Sequence, residues 1–209
     1  LRLFGTGWMP RYSSEAEYIA PWSPYLVTKI IIEDGITTIG SYAFYNKVTL
    51  ESIIIADTVK KVEERAFLGC SSLKSIMLPN TVESIDERAF SKCSSLENIF
   101  IPDSVTVCGS CIFDGCTSLK TISISETMET NDDTFSGCNA TIIRRTGNSS
   151  AGDAFSDSIE PSTDDESVEI SSGEVSSENE EPSEVIFDDE YIEDDTKPDA
   201  SDSADIAQE

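Results

Sequence analysis

The stretch that decides the fold runs from Leu73 to Ser95 and reads LKSIMLPNTVESIDERAFSKCSS. Its pattern recurs along the chain, and the step between phenylalanines is 23 residues, or 22 at the last one. These phenylalanines are Phe44, Phe67, Phe90, Phe113 and Phe135. Two more columns keep the same register: Cys70, Cys93, Cys116 and Cys138, and Val27, Leu50, Leu73, Leu96 and Leu119. A fixed period in this range is typical of a solenoid, in which each unit buries its apolar side by stacking on its neighbours.

Each repeat predicts one short strand and one tight return turn. Ile76 and Leu78 are two residues apart, so they share one face of a strand, and Pro79 ends that strand because it has no ladder donor. Val82 and Ile85 are three residues apart, which predicts a helical or 3₁₀ turn that returns the chain. We therefore expect a β-rich solenoid whose short parallel strands stack about 4.8 Å apart.

The composition is acidic, and the charge is unevenly placed. The 209 residues include 40 acidic and 14 basic side chains, for a net charge of −26. Residues 1–145 carry about −5 of this charge and residues 146–209 about −21, because Lys197 is the only basic residue of the second part. We expect no nucleic acid partner, because binding nucleic acid requires Lys and Arg to neutralise phosphates.

Missing residue types and segments set further expectations. Histidine is the commonest general base and zinc ligand and does not occur in the chain, so we expect no enzyme, no metal site and no cofactor. No apolar run approaches the length of a membrane span. The chain opens at Leu1 without methionine or a charged-then-apolar leader, and we interpret it as a trimmed or partial chain.

The sequence divides into three parts. Residues 1–26 lack the repeat and hold five large aromatic side chains, which we expect to cap the open apolar end of the solenoid; an aromatic sugar-binding site is the alternative. These aromatic residues are Trp8, Tyr12, Tyr18, Trp22 and Tyr25. Residues 27–145 are the solenoid. Residues 146–209 are rich in Ser, Asp and Glu, and their low hydrophobicity and high charge predict a disordered acidic tail.

The repeat closely resembles the BspA-type leucine-rich repeat over about residues 1–145, and its pattern reads L-x-x-I-x-I-P-x-x-V-x-x-I-x-x-x-A-F-x-x-C-x-x. The opening also matches that family's usual lead-in, at Gly5-Thr6-Gly7, Met9-Pro10, Tyr12-Ser13-Ser14, Pro21-Trp22 and Ile32-Glu33-Asp34-Gly35-Ile36. The resemblance implies a short right-handed leucine-rich-repeat solenoid without enzymatic activity. It also implies an adhesin-like protein at the cell surface or outside the cell that binds host or matrix proteins. An intracellular, cytoplasmic repeat scaffold whose acidic tail recruits partners is the alternative. We expect a monomer with a protein ligand.

Several repeat slots depart from the pattern. We interpret Asn46 as the residue that replaces the cysteine in the first full turn. Cys108 stands where other turns have isoleucine or valine, and Asn131 holds the next such place. The fifth turn is therefore expected to decay into a polar terminus, as a capping turn should.

The four repeat cysteines have three interpretations. A column in one core-facing slot favours buried, packed thiols, although stacked turns also suit disulfides, and metal ligation is the third reading. Cys108 and Cys111 spell C-x-x-C, a redox pair in thioredoxin-like proteins. Here the first occupies a core slot and the second a turn slot, so redox chemistry is the weaker alternative.

The strands also suggest a binding face. Between the two inward apolar positions of each strand lies a residue that must point outward, because strand side chains alternate. These outward residues are Ile31, Ile54, Met77, Phe100 and Ser123, and beside them runs a polar column of Lys29, Ser52, Ser75, Asn98 and Thr121. An apolar stripe with a polar margin predicts a protein-binding face. The alternatives are that apolar residues simply favour strands, or that a missing domain or the Val185–Phe187 cluster covers the stripe.

The Val185–Phe187 cluster itself has two interpretations. A short apolar run beside acidic residues can add as a strand to the sheet edge of another protein. The plainer interpretation is a solubilising tail that contains a chance apolar cluster.

Overall fold

The computed structural model describes residues 1–15 and 18–146 and the backbone of 184–187. The predicted disorder of the acidic tail therefore lies almost entirely outside the described residues. The described chain contains no α-helix and is built from short strands joined by turns. The strands are β1 (Arg2–Gly5), β2 (Gly7–Trp8), β3 (Lys29–Ile32), β4 (Ile36–Ile39), β5 (Ser52–Ile55), β6 (Lys61–Val62), β7 (Ser84–Ile85), β8 (Asn98–Phe100), β9 (Val107–Cys108), β10 (Thr121–Ser125), β11 (Thr141–Arg145) and β12 (Glu184–Phe187).

All strand pairs are parallel, and they form two sheets that run along the solenoid. The main sheet has the order β12–β1–β3–β5 in one half and β8–β10–β11 in the other. A single bridge between Met77 and Phe100 connects the intervening turn to the second half. The second sheet has the order β2–β4–β6–β7–β9. This arrangement confirms the predicted solenoid of parallel strands with a repeat of about 23 residues.

The second sheet corrects one expectation. The segment predicted to be a helical or 3₁₀ turn is a two-residue strand, β7, and it pairs through Ile85 with Val62 on one side and Cys108 on the other. The spacing of three apolar residues resembled a tight turn, but each segment finds a ladder partner in the neighbouring turns. Such non-local pairing overrides a weak local preference.

The third side of the solenoid is a stack of tight turns. Each turn donates main-chain N–H groups to carbonyls of the next turn, as Phe67 N does to Ala89 O at 2.8 Å and Phe90 N to Ile112 O at 3.0 Å. Two slots of the turn lie in the left-handed region. One holds Tyr42, Arg65, Arg88 and Cys111, and the other holds Asn46, Gly69, Lys92, Gly115 and Gly137.

The phenylalanine column forms the axis of the core, as predicted. Phe44, Phe67, Phe90 and Phe113 are fully buried, and successive rings stack with centroids 5.1, 5.3 and 5.7 Å apart. Phe135 continues the stack at 6.3 Å and is only partly buried, because no further ring among the described residues covers it. Stacked aromatic rings contribute both apolar burial and a preferred geometry, so this column fixes the distance between turns.

Trp22 closes the N-terminal end of the column. Its buried indole lies 5.9 Å from the ring of Phe44 and donates from Nε1 to the carbonyl of Ala43 at 2.7 Å. In the later turns the equivalent carbonyl accepts an N–H from the preceding turn. Trp22 therefore provides the stacked ring and the hydrogen-bond donor that a preceding repeat turn provides elsewhere in the solenoid. The ring of Tyr12 packs edge-on against Trp22, with the ring centres 5.5 Å apart.

The expectation that all five aromatic residues cover this end is wrong in part. Trp8, Tyr18 and Tyr25 are largely exposed, whereas Trp22 is buried and Tyr12 is partly buried against the core. Leu3 of β1, Met9 and Ala20 supply further apolar cover. Composition showed that this end was rich in aromatic residues but not which of them faced inward.

Lys47, not Asn46, occupies the cysteine slot of the first full turn. It lies 23 residues before Cys70, and it is only 4% exposed. Its ammonium group donates to three carbonyls of the N-terminal segment, those of Trp22, Ser23 and Tyr25, at 2.7, 2.8 and 2.9 Å. Burial lowers the pKa of Lys47, and the three carbonyls compensate for the water that the ammonium loses. Asn46 belongs instead to a left-handed slot of the turn.

Glu63 makes a second polar link between the N-terminal segment and the repeats. Its buried carboxylate accepts two hydrogen bonds from the guanidinium of Arg11, at 2.9 and 3.0 Å, and two more from the N–H and hydroxyl of Ser41. Burial alone would raise the pKa of Glu63, but these hydrogen bonds and the charges of Arg11 and Lys61 outweigh it and lower the pKa. The carboxylate is therefore ionised in the folded protein.

The C-terminal end is polar, as predicted. Asn131 and Thr134 occupy slots that hold apolar side chains in most other turns, and they hydrogen-bond to each other. Thr134 is buried, so this mutual bonding satisfies groups that water cannot reach. The next strand, β11, closes the described part of the solenoid by pairing with β10.

Candidate protein-binding face

The outward residues of the main sheet form two rows in register. Lys29 pairs with Ser52 and Ile31 with Ile54 across β3 and β5, and the same rows continue through β8 and β10. Ile54 is 51% exposed and Met77 is 70% exposed, whereas Ile31 is half-buried. These three residues form an apolar patch on the first half of the sheet, which we call the Ile54–Met77 face.

Phe100 and Ser123 do not extend that face, contrary to the sequence expectation. Phe100 is only 4% exposed and Ser123 is also buried. Phe100 lies outside the main core cluster, so its side chain does point outward from the strand as the alternation requires. It is buried because a side chain from elsewhere in the chain covers it.

Arg145 is the covering residue. It ends β11, and its guanidinium lies 3.8 Å from the centre of the Phe100 ring. The same group donates to the carbonyl of Ile101 at 2.7 Å and pairs with Asp103 at 2.8 Å. Ser123 lies on β10, the strand between β11 and β8, and its small side chain leaves room for the arginine to cross. The guanidinium, held by the half-buried carboxylate of Asp103, lies over the aromatic face of Phe100 and closes the second half of the sheet.

The polar row follows the same division. Lys29, Ser52 and Ser75 are exposed beside the apolar patch, whereas Asn98 and Thr121 are half-buried in the clamped half. The Ile54–Met77 face therefore has a polar margin of small hydroxyl groups and one positive charge. Such a rim around an apolar centre is the usual anatomy of a protein-binding surface.

The main sheet is interrupted beneath this face. Residues 75–78 do not form a strand with β5, and Met77 makes only the one bridge to Phe100. Ile76 and Leu78 are nevertheless buried, so the turn keeps its place in the core. The most exposed apolar side chain of the face thus lies at the seam between the two halves of the sheet.

The cysteine column is a set of packed thiols. The sulfurs of Cys70, Cys93 and Cys116 lie 3.1, 3.3 and 3.1 Å from the carbonyls of the phenylalanines in the preceding turn. Burial raises the pKa of Cys70 to about 12, and all six cysteines are free. This geometry matches the predicted packed column and shows none of the disulfides considered as an alternative.

The C-x-x-C pair lies where the sequence indicated. Cys108 holds a slot of the second sheet next to Ile85, and burial raises its pKa to about 12. Cys111 occupies a left-handed position of the turn with φ of 54°. A redox cysteine needs a lowered pKa, so the first thiol of the pair is in an unsuitable environment.

Within residues 1–15 and 18–146, no group of three or more Cys, Asp or Glu side chains is arranged to hold a metal ion. In the same part of the chain, no helix has the length and hydropathy needed to cross a membrane.

Sequence reasoning missed Arg145 and Lys47, for different reasons. Arg145 acts on Phe100 from 45 residues away and belongs to no repeat column, so no periodic signal marks it. Lys47 did have a signal, because counting back 23 residues from Cys70 leads to it. Both are cations that satisfy carbonyl groups near an end of the solenoid.

The comparisons with known proteins assign the family. A family model described as the BspA type leucine rich repeat region matches residues 26–159 in six copies. This match spans more than half of the chain, which therefore belongs to the BspA-type leucine-rich repeat family. Among curated proteins, none matches this chain.

Several solved structures are similar to the chain. A leucine-rich repeat protein of T. pallidum is 23% identical with a TM-score of 0.47, over 58% of this chain and 62% of that one. The pneumococcal vaccine antigen PcpA is 22% identical with a TM-score of 0.47, over 58% and 36%. A leucine rich cell surface protein of Faecalibacterium prausnitzii is 25% identical with a TM-score of 0.32, over 63% and 50%. The chain thus spans between 36% and 62% of the length of these proteins.

Family membership indicates the general role of the chain. Leucine-rich repeats of this type are generally a non-enzymatic fold for protein interaction, so the chain is a protein-interaction module. Solenoids suit this role because stacked repeats present an extended, rigid surface.

Proposed function

We propose that the chain is an adhesin-like binding module of the cell surface or the extracellular space, and that it binds host or matrix proteins through the Ile54–Met77 face. The observation that carries this proposal is the exposure of Met77 and Ile54 on a sheet whose other half is closed by Arg145. One half of the same sheet therefore protects its apolar side chains, and the other half leaves them open.

This contrast argues against strand propensity as the whole explanation. Propensity accounts equally for Phe100 and Met77, which lie in corresponding outward positions of neighbouring turns. Only the first is covered. An exposed apolar patch with a polar rim on a rigid surface is the arrangement found where proteins bind partners.

The surface location rests on the family resemblance and on the names of similar proteins. One solved structure is named a cell surface protein and another a vaccine antigen. Those names describe the other proteins, and we extend them to this chain as part of the proposal.

The test is binding of the full chain to immobilised fibronectin, laminin, collagen and fibrinogen, measured by surface plasmon resonance. The decisive variant is the double substitution Ile54→Asp and Met77→Asp. Val107→Asp is the matched control, because Val107 is 58% exposed but lies on β9 in the second sheet. Neither change touches the core, so all proteins should fold, which circular dichroism checks.

We expect the wild-type chain and the Val107→Asp variant to bind at least one of these proteins equally well. The double variant should lose at least about tenfold in affinity, since burying a charge at an interface centre is costly. Binding by none of the four proteins contradicts the matrix-binding role, and equal binding by the double variant contradicts the proposed face.

A further inference from the structure

The segment Glu184–Phe187 occupies the N-terminal edge of the main sheet. As β12 it pairs in parallel with β1, in the register Arg2 with Glu184, Leu3 with Val185, Phe4 with Ile186 and Gly5 with Phe187. From its sequence, this segment is a candidate strand for another protein's sheet. It lies instead against its own sheet, in line with the strands, where β1 separates it from β3, the first strand of the Ile54–Met77 face.

The outer edge of β1 is suited to accept a strand. The carbonyls of Leu1 and Leu3 accept hydrogen bonds from Ile31 and Glu33 of the first repeat, each at 2.9 Å. Main-chain groups alternate along a strand, so the N–H and C=O groups of Arg2 and Phe4 face the other way, toward the outer edge. Without β12 these groups form an open template for any extended chain.

The β12 segment has the sequence properties of an edge strand. It reads Glu-Val-Ile-Phe, which is rich in residues that favour strands. Pro182 precedes it and three acidic residues, Asp188, Asp189 and Glu190, follow it, so the strand-forming stretch is short and clearly bounded. Its first residue, Glu184, stands in register with Arg2 of β1.

The connecting chain is long enough for this pairing within one molecule. Residues 146–183 join β11 to β12, and about 38 residues extend to roughly 130 Å at most. The seven steps from β11 across the main sheet to β12 cover only about 34 Å at strand spacing.

We propose that the outer edge of β1 is a strand-addition site whose resident ligand is the chain's own Glu184–Phe187 segment. A free segment of the same kind, with three successive large apolar residues flanked by acidic ones, competes for the same edge. The Glu184–Phe187 segment is thus a removable cover for a second protein-binding site, independent of the Ile54–Met77 face.

The strand register shows which amides of β12 face β1, and this defines a matched pair of variants. Because Arg2 and Phe4 face β12, the alternation places the N–H groups of Val185 and Phe187 opposite their carbonyls. The variant Val185→Pro/Phe187→Pro removes both donors. The variant Glu184→Pro/Ile186→Pro places proline at the two positions whose N–H groups face outward, where an edge strand tolerates it.

The measurement is amide hydrogen exchange by NMR on the full-length protein. In the Val185→Pro/Phe187→Pro variant, the Phe4 amide should exchange at least about tenfold faster than in wild type, since only pairing with β12 protects it. The Leu3 amide faces β3 and should keep its protection in every variant. The Glu184→Pro/Ile186→Pro variant should retain wild-type protection at both amides.

A synthetic peptide of residues 181–191 completes the test. Added in excess to the Val185→Pro/Phe187→Pro variant, it should restore protection of Phe4, and the same peptide with both prolines should not. Three results would each overturn the proposal: equal exchange of Phe4 in wild type and variant, equal loss in both proline variants, or failure of the peptide to restore protection. Loss of protection at Leu3 as well would show that the segment is an integral part of the fold rather than a removable cover, which also contradicts the proposal.

Discussion

The two ends of the solenoid close the open apolar end of the repeat stack in chemically different ways. At the N-terminal end the apolar column continues into Trp22, and the ammonium of Lys47 ties the covering segment down through three carbonyls. At the C-terminal end of the described residues the column reaches Phe135, and the polar pair of Asn131 and Thr134 occupies apolar slots. The N-terminal end is covered by an additional segment of chain, whereas the C-terminal end carries polar side chains that leave less apolar surface to be covered.

The difference shows that a repeat array can be closed by single substitutions in its own slots. Lys47 stands in a slot that later turns fill with cysteine, and Thr134 stands in a slot that other turns fill with alanine or isoleucine. Each makes hydrogen bonds with polar groups at its own end of the solenoid. The main sheet shows the same effect of single residues, because Arg145 covers the outward face of one half while the side chains of Ile54 and Met77 stay exposed. Closure and exposure are thus set by individual side chains on a uniform frame.

The largest expected effect comes from breaking the column between the two ends. Phe90 is fully buried between rings at 5.3 and 5.7 Å, so Phe90→Ala should lower the free energy of unfolding by about 3–5 kcal/mol. Phe135→Ala is the matched change at the polar end and should cost about half of that, because Phe135 is only partly buried and Phe113 is the one described ring that stacks on it. Urea denaturation measures both; equal losses would show that the end is packed like the middle.

Removing the polar tie of the N-terminal end ranks second. Lys47→Met should cost about 2–3 kcal/mol, because it removes the ammonium group that donates to three carbonyls in a partly buried site. Lys60→Met is the control, since that lysine is exposed and makes only a 3.7 Å ion pair with Glu83, and it should change stability by less than about 0.5 kcal/mol. A comparable loss in both variants would remove the special role of Lys47.

The Glu63 link should make the same end sensitive to acid. The pKa of Glu63 is lowered in the folded protein, so its contribution is present above the unfolded value of about 4.3 and disappears as the pH falls through the folded pKa. Glu63→Gln should therefore cost about 1–2 kcal/mol at pH 7, and the cost should shrink toward pH 3. Glu83→Gln, at an exposed position, is the control. Urea titrations at both pH values test this, and a pH-independent cost for Glu63→Gln would refute the linkage.

The smallest effect should come from the acidic tail. Deleting residues 150–209 removes only β12 from the described structure, at an edge of the main sheet. We expect the free energy of unfolding to fall by less than about 1 kcal/mol, as for the loss of a few exposed hydrogen bonds. Thermal unfolding of the truncated chain measures this, and a fall of several kcal/mol would show that the tail packs on the core.

The sequence predicted the features that recur in every repeat, and it did not predict the contacts made by single residues outside the repeat pattern. The period of 23 residues is enough to place Phe67 and Phe90 in the core and to orient the outward row, since the same packing constraint acts in every turn. The exposure of Phe100 was predicted wrongly, because its cover comes from Arg145, a single residue outside the pattern. The second sheet was missed because its strands are two residues long in most turns and have no local signature that differs from a turn.

The most direct test of the continuous column uses tryptophan fluorescence at the N-terminal end. The chain has two tryptophans, and Trp8 is exposed whereas Trp22 is buried against Phe44, so Trp8→Phe leaves Trp22 as the only indole reporter. In that variant the emission should be blue-shifted and shielded from acrylamide, and it should change at the same urea concentration as the far-UV circular dichroism, since one cooperative unit unfolds in a single transition. A Trp22 transition at clearly lower urea than the circular dichroism transition would contradict the claim that the N-terminal segment is part of the same core.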